Sequence, residues 1–125
     1  MFRKMPRKRR RFNKRQAMVC GSALGLILED EVETYLKELL AGGFIASYVR
    51  HSRHSLEDCS GRDFTVGKQV RGILVYVSFG VTISAERCLR SRDLHWPVPQ
   101  FWFPIWTDKT LIVKTILDLF KPLSV

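Results

Sequence analysis

Apolar side chains recur at the spacing of one helix face between residues 22 and 41, at Leu28, Val32, Tyr35, Leu36, Leu39 and Leu40. Ser22 is a candidate N-cap, and Gly42-Gly43 is a typical helix end. The pattern therefore predicts one amphipathic helix. Glu29 and Glu33 lie four residues apart along the edge of its apolar face, so either side chain can face a cleft or solvent.

Segments that favour β-structure fill the middle of the chain. Residues 44–49 predict a short strand, and the Ser60-Gly61 turn places Asp63 at the head of another strand, residues 64–66. A second turn is predicted near Gly67-Lys68, before the longest run of branched and aromatic side chains, residues 70–83. Gly80 inside this run indicates a bulge or the close approach of another backbone.

The remaining residues predict a helix, a strand and a last helix. Ser84 is a candidate cap for residues 85–92, and prolines flank an aromatic strand at residues 101–103. Thr107 or Asp108 is the candidate cap of the last helix, which ends before Pro122. Its predicted inner face consists of Leu111, Ile112, Thr115, Ile116, Leu119 and Phe120. We therefore predict a single α/β domain with a mixed central sheet flanked by helices.

An aromatic cluster accompanies this last strand: Phe101, Trp102, Phe103 and Trp106. Such rings can stack on nucleic-acid bases. They can equally be the core-facing side of a strand and its exit, which is the interpretation we favour. The sequence leaves both open.

The formal net charge of +9 comes from one end of the chain. Residues 1–16 contain no acid and nine of the 21 basic residues, while the other 12 basic residues are balanced by 12 acids. We interpret residues 1–16 as a disordered basic tail and residues 17–125 as one domain. Such a tail favours a polyanionic partner, which can be nucleic acid, the ribosome surface or anionic lipid, but it cannot by itself read base sequence.

Residues 17–28 form an apolar run after the tail, which is the outline of a secretory signal. No small-x-small cleavage site follows, and the run is too short to span a bilayer, so we expect the entry to a buried helix and no integral membrane segment.

Cys20, Cys59 and Cys88 form no Cys-x-x-Cys, which favours a reduced, cytoplasmic location. His51, His54 and Cys59 match no established zinc-site spacing.

The predicted order of elements, helix, three strands, helix, strand and helix, covers about residues 22–120. Together with Gly61-Arg62-Asp63-Phe64, it resembles the αβββαβ core of the PD-(D/E)xK nuclease superfamily, the restriction-endonuclease-like fold. In that family three groups converge on one site: an acid on the first helix, an Asp at the head of the second strand, and an acid-x-Lys motif on the third strand. The resemblance implies that the carboxylates hold Mg²⁺, which polarises the scissile phosphate, and that the Lys helps position the attacking water.

On this resemblance Asp63 is the strand ligand of the metal and Glu33 the helix ligand, with Glu29 as the alternative. The third motif departs from the family. Gly80-Val81-Thr82 occupies its place by sequence, or Tyr76-Val77-Ser78 by spacing, and neither supplies an acid or a Lys. Thr82 adds only a hydroxyl to the implied catalytic set of Glu33, Asp63 and Thr82.

Basic residues of the tail and of the predicted hairpin are the expected nucleic-acid contacts: Arg7, Lys8, Arg9, Arg10, Arg11, Lys14, Arg15, Arg62 and Lys68. Lys68 is also a candidate replacement for the missing Lys of the third motif. The tail residues supply affinity that depends on salt, because they neutralise phosphates.

Three hypotheses follow. The first is a nuclease-fold protein that binds nucleic acid, DNA being favoured, and is weakly active or inactive, because each lost electrostatic contact costs on the order of a hundredfold in rate. The second is an active, divergent Mg²⁺-dependent DNA endonuclease. The third is a small non-enzymatic α/β adaptor associated with a membrane through residues 1–28.

Overall fold

The computed structural model describes residues 7–53 and 55–123, and for residues 7–23 it describes the backbone alone. The elements in chain order are α1 (Arg7–Ala41), β1 (Ser47–Arg50), a one-turn α2 (Leu56–Cys59), β2 (Phe64–Val70), β3 (Ile73–Thr82), α3 (Ala85–Leu94), β4 (Gln100–Trp102), α4 (Lys109–Asp118) and a 3₁₀ turn (Lys121–Leu123). The predicted order of main elements is confirmed, and α2 is an addition to it.

The four strands form one mixed sheet in the order β1-β2-β3-β4. The β1–β2 and β2–β3 pairs are antiparallel. The β3–β4 pair is parallel because α3 carries the chain back across the sheet between these two strands. The predicted α/β class with a mixed sheet flanked by helices is therefore confirmed, including the C-terminal helix.

The turn between β2 and β3 lies at Arg71-Gly72, so the turn predicted near Gly67-Lys68 is wrong. Arg71 and Gly72 have φ angles of 53° and 80°, the positive values that a two-residue hairpin turn with the twist of its strands requires. Gly67 instead lies inside β2, opposite Tyr76. A Cβ at Gly67 would come closer than 3.0 Å to the Tyr76 ring and the Ser47 hydroxyl, so glycine serves there for space, not for a turn.

Helix α1 begins at Arg7, far before the predicted cap at Ser22. Residues 7–16, interpreted as a disordered tail, thus have helical backbone that continues into the body of the protein. Periodicity could not show this, because the segment is basic throughout and has no apolar face to repeat. The division into residues 1–16 and 17–125 stays a prediction.

The core lies between the sheet and the helices α1 and α4. The buried side of α1 consists of Leu28, Val32, Leu36 and Leu39. The buried residues of α4 and of the segment directly after it are Ile112, Ile116 and Phe120. Phe64 of β2 stacks on Phe79 of β3 with ring centroids 5.6 Å apart. Of the predicted helix faces, Leu40 and Leu111 are exposed instead.

The apolar run of residues 17–28 within α1 is only partly covered at the positions whose side chains are described. Leu28 is buried as predicted, whereas Leu24, Leu26 and Ile27 are exposed. Among the residues that the structure describes, no helix has the length and apolar character needed to cross a bilayer.

Candidate functional site

Asp63 is held between β2 and β3 by two backbone contacts. Its own N–H donates to the carbonyl of Phe79 at 2.9 Å. Its Oδ2 accepts a hydrogen bond from the N–H of Val81 at 2.8 Å. The side chain is therefore fixed beside the end of β3, and Asp63 directly precedes β2 as the sequence predicts.

A second acid reaches Asp63 from α2. Ser55 caps this short helix by accepting a hydrogen bond from the Asp58 N–H at 3.1 Å. Gly61, with φ of 84°, then turns the chain back into β2, in a backbone conformation that favours glycine. The turn brings Asp58 beside Asp63, where its side chain raises the pKa of Asp63 through a hydrogen bond and through its negative charge.

The surroundings of Asp63 favour the protonated form. Burial, the negative charge of Glu29 and the hydrogen bond with Asp58 raise the pKa of Asp63 to about 7, against the opposite effect of the Val81 N–H. The pKa of Glu29 is also raised, because the effect of burial exceeds the opposite effect of the positive charges of Arg50 and Arg53. Arg53 Nη2 lies 3.6 Å from Glu29 Oε2. The site is thus an acidic cluster of Glu29, Asp58 and Asp63.

Glu33, the predicted helix ligand, takes part in a different set of contacts. Its carboxylate accepts a hydrogen bond from the Tyr48 hydroxyl at 3.2 Å and pairs with Arg50 Nη1 at 3.2 Å. The α1 glutamate whose charge acts on Asp63 is therefore Glu29, the alternative. Sequence could not separate the two, since residues four apart share one helix face and only the crossing of α1 over the sheet decides between them.

The third-motif position lies beside Asp63 but has no room for a side chain. Phe64 pairs with Phe79, which places Gly80 next to Asp63. A Cβ at Gly80 would come closer than 3.0 Å to Gln100 Oε1 and the Gly61 carbonyl oxygen. The close backbone approach predicted at Gly80 is confirmed by the Gly61 carbonyl oxygen, and the side chain of Gln100 on β4 fills the remaining space. The alternative position for the third motif, Tyr76-Val77-Ser78, lies further from Asp63, because these residues pair with later positions of β2 and Ser78 lies opposite Thr65.

Thr82, the remaining member of the predicted catalytic set, lines the same cavity of about 260 Å³ as Asp58 and Asp63. Its Oγ1 accepts a hydrogen bond from the Ser84 N–H at 3.2 Å, at the start of α3. The hydroxyl thus lies near the acids, and it also helps position the next helix.

Two arginines that the sequence analysis missed line this cavity as well, Arg87 and Arg90 of α3. The available signal was their position, three residues apart on the helix that directly follows the third strand. Arg90 pairs with Glu86 at the surface, where both side chains are largely exposed. Surface pairs of this kind contribute little free energy, so the guanidinium can exchange partners.

The predicted cations lie elsewhere. Lys68 is five positions along β2 from Asp63, roughly 17 Å at about 3.4 Å per strand residue. Arg62 precedes Asp63, and its Nη1 donates to the Ser60 hydroxyl at 2.7 Å. The side chains of Arg7, Lys8, Arg9, Arg10, Arg11, Lys14 and Arg15 lie outside the described part of the chain.

Within the described chain, no three His, Cys, Asp or Glu side chains, the acidic cluster of Glu29, Asp58 and Asp63 included, are grouped so that they could hold a metal ion. The place of the strand acid is Gly80, where Gln100 takes the space. His51 is engaged by Thr65 at 2.7 Å, and its partner in the sequence pattern, His54, lies outside the described residues.

The structure therefore defines a mixed α/β domain with a partly buried acidic cluster at one end of its sheet. Comparison of the chain with protein-family models, curated proteins and solved structures finds no match. The resemblance to the PD-(D/E)xK superfamily stays a prediction, based on element order and on Asp63.

Proposed function

We propose that this chain binds nucleic acid through phosphate contacts and does not cleave it efficiently. The observation that carries the proposal is the cavity in which Arg87 and Arg90 stand beside Asp58 and Asp63 while Gly80 leaves no place for a further ligand. Arginines bind phosphate strongly because the planar guanidinium offers several donors in a fixed geometry.

The protonation of Asp63 supports an anionic occupant. A carboxyl group whose pKa is about 7 is partly neutral at physiological pH. The repulsion between the acidic cluster and a phosphate is smaller than two ionised aspartates would produce. Arg87 and Arg90 supply positive charge beside these acids, because both line the same cavity.

The basic N-terminal segment supplies the second part of the affinity. Seven of the nine basic residues of the segment 1–16 fall within residues 7–15, where the backbone is helical and the first turn contains no acid. These cations repel one another. They are also repelled by the partial positive charge that the N-terminus of a helix carries. A polyanion relieves this repulsion, and DNA is the partner we favour.

Salt-dependent binding of duplex DNA by the full chain tests the proposal. Each phosphate contact changes the slope of log Kobs against log salt by about 0.9. Arg90→Gln is expected to reduce the slope by about one unit. Lys114→Gln is the matched control, because it also removes one cation from an exposed i,i+4 pair, here with Asp118. Binding that is independent of salt, or absent, rejects the proposal.

Cleavage is tested with plasmid and branched DNA in Mg²⁺ or Mn²⁺. We expect no products above background. Cutting that Asp63→Asn abolishes would support the alternative of an active divergent endonuclease.

A cytoplasmic location is part of the proposal, and it is supported by the cysteine pattern, in which Cys59 and Cys88 are free thiols.

A further inference from the structure

Two indole rings are exposed beside α4. Trp106 is 81% exposed and Trp102 49% exposed. Both line a groove of about 540 Å³ together with Arg92 of α3 and Leu111 of α4, and we call it the aromatic groove. Its size is within the range of about 300–1,000 Å³ that is typical of ligand sites. Several exposed apolar side chains around one groove, unlike a single exposed residue, indicate a docking site.

The ring of Trp102 is already oriented by the protein. Its Nε1–H donates to the carbonyl of Ile83 at 3.0 Å, and its backbone belongs to β4, in register with Thr82. The polar edge of the indole is therefore satisfied, and the surface left exposed is that of the apolar ring. A ring that is held in place loses little conformational entropy when a flat partner stacks on it.

The cation among the residues that line the aromatic groove is Arg92, which offers a contact to an anionic group of the occupant. Its Nε donates to the Gln100 carbonyl at 3.4 Å. Asp108 also lines the aromatic groove, so phosphate contacts have to come from the α3 side of the groove, where Arg92 lies. A second copy of this chain is disfavoured as occupant, because both copies carry a net charge of +9.

We infer that the aromatic groove binds unpaired nucleotides of a single-stranded nucleic acid, whose bases stack on Trp106 and Trp102 while Arg92 contacts the phosphates. Every base offers a flat face, so this binding does not depend on sequence. The inference rests on the proposed function and adds to it a preference for unpaired over paired strands.

Oligothymidine is the probe, because it has no stable duplex of its own and its binding is followed by quenching of tryptophan fluorescence and by anisotropy of a labelled strand. Trp106→Ala in the full chain is expected to weaken oligothymidine binding by about five- to a hundredfold, the usual effect of losing one stacked base. Trp106→Phe is expected to retain most of the affinity. Binding of blunt duplex DNA is expected to be unchanged in both variants.

Trp96 provides the matched control. It is also 81% exposed, but it is not among the residues that line the aromatic groove. Trp96→Ala is therefore expected to bind oligothymidine as the natural chain does, and circular dichroism checks that all three variants stay folded.

The outcomes separate this inference from the proposed function. If duplex DNA binds with the expected salt dependence but Trp106→Ala leaves oligothymidine binding unchanged, the inference alone is overturned. If neither form of DNA binds, both fail. Self-association, or binding to anionic vesicles, that Trp106→Ala abolishes while oligothymidine binding persists would assign the groove to another occupant and overturn the inference.

Discussion

The side chain of Gln100 on β4 fills the space beside Gly80 on β3. Its Nε2 donates to the Gly61 carbonyl at 2.8 Å, and its Oε1 lies where a side chain at Gly80 would have to begin. The contact joins three segments that are distant in sequence, and it closes the place beside Asp63 at which the nuclease resemblance calls for an acid.

Gly80→Ala is expected to destabilise the protein by about 1–3 kcal/mol, because the new methyl group overpacks the region around Gln100. The measurement is urea unfolding. Gly25→Ala is the control, because a Cβ there meets only Arg53 Nη2, at 3.8 Å, and alanine is favoured in a helix. Adding Gln100→Ala to Gly80→Ala is expected to restore part of the loss. An unchanged stability for Gly80→Ala alone would contradict the packing described here.

Stability is expected to depend on pH through Asp63. The unfolded chain ionises this group near its ordinary pKa of 3.8, whereas the folded protein holds the proton up to about pH 7. The folded state therefore binds more protons between these values, so the free energy of unfolding falls as pH rises through this window.

Asp63→Asn removes this dependence, because an amide mimics the protonated acid and still accepts a hydrogen bond from Val81. At about 1.4 kcal/mol per pKa unit, the variant is expected to gain up to about 4 kcal/mol over the natural chain at pH 8, and nothing below pH 4. Unfolding series across this pH range measure it. Asp93→Asn, at an exposed position on α3, serves as control. Parallel curves for Asp63→Asn and the natural chain would show that Asp63 is ionised when folded.

Glu29 and Glu33 are expected to differ in their influence on Asp63. Glu29→Gln removes a negative neighbour and lowers the pKa of Asp63. Glu33→Gln keeps an oxygen for the Tyr48 hydroxyl and is the matched control on the same helix face. Carbon-13 NMR titration of the Asp63 carboxyl measures both variants. A larger effect from Glu33→Gln would restore Glu33 as the acid of this site.

Arg71→Asn is expected to stabilise the hairpin. Arg71 has a φ of 53°, a left-handed conformation that costs most L-residues roughly 1–2 kcal/mol and that asparagine adopts more readily. We expect a gain of about 0.5–1 kcal/mol in thermal or urea unfolding. Arg71→Ala, which gives no such relief, is the control and is not expected to gain. Equal effects of the two substitutions would place the origin in the arginine side chain and not in the backbone.

Much of the fold was determined by local sequence. The apolar spacing from Leu28 to Leu39 and from Ile112 to Phe120, the cap at Ser84 and the strand after Asp63 all depend on residues near one another in the chain. Burial of an apolar face and capping of a helix end are governed by spacing, so their pattern is visible before folding. The position of Asp63 at the head of β2 and the close approach at Gly80 belong to the same group.

Only the tertiary structure decided which groups meet. The hairpin register places Lys68 within β2, away from Asp63. The crossing of α1 over the sheet places Glu29, and not Glu33, where its charge acts on Asp63. The return of the chain through α3 brought Gln100 against Gly80 and left Trp106 exposed. These relationships join residues tens of positions apart, and their outcome depends on packing between elements, which no local pattern specifies.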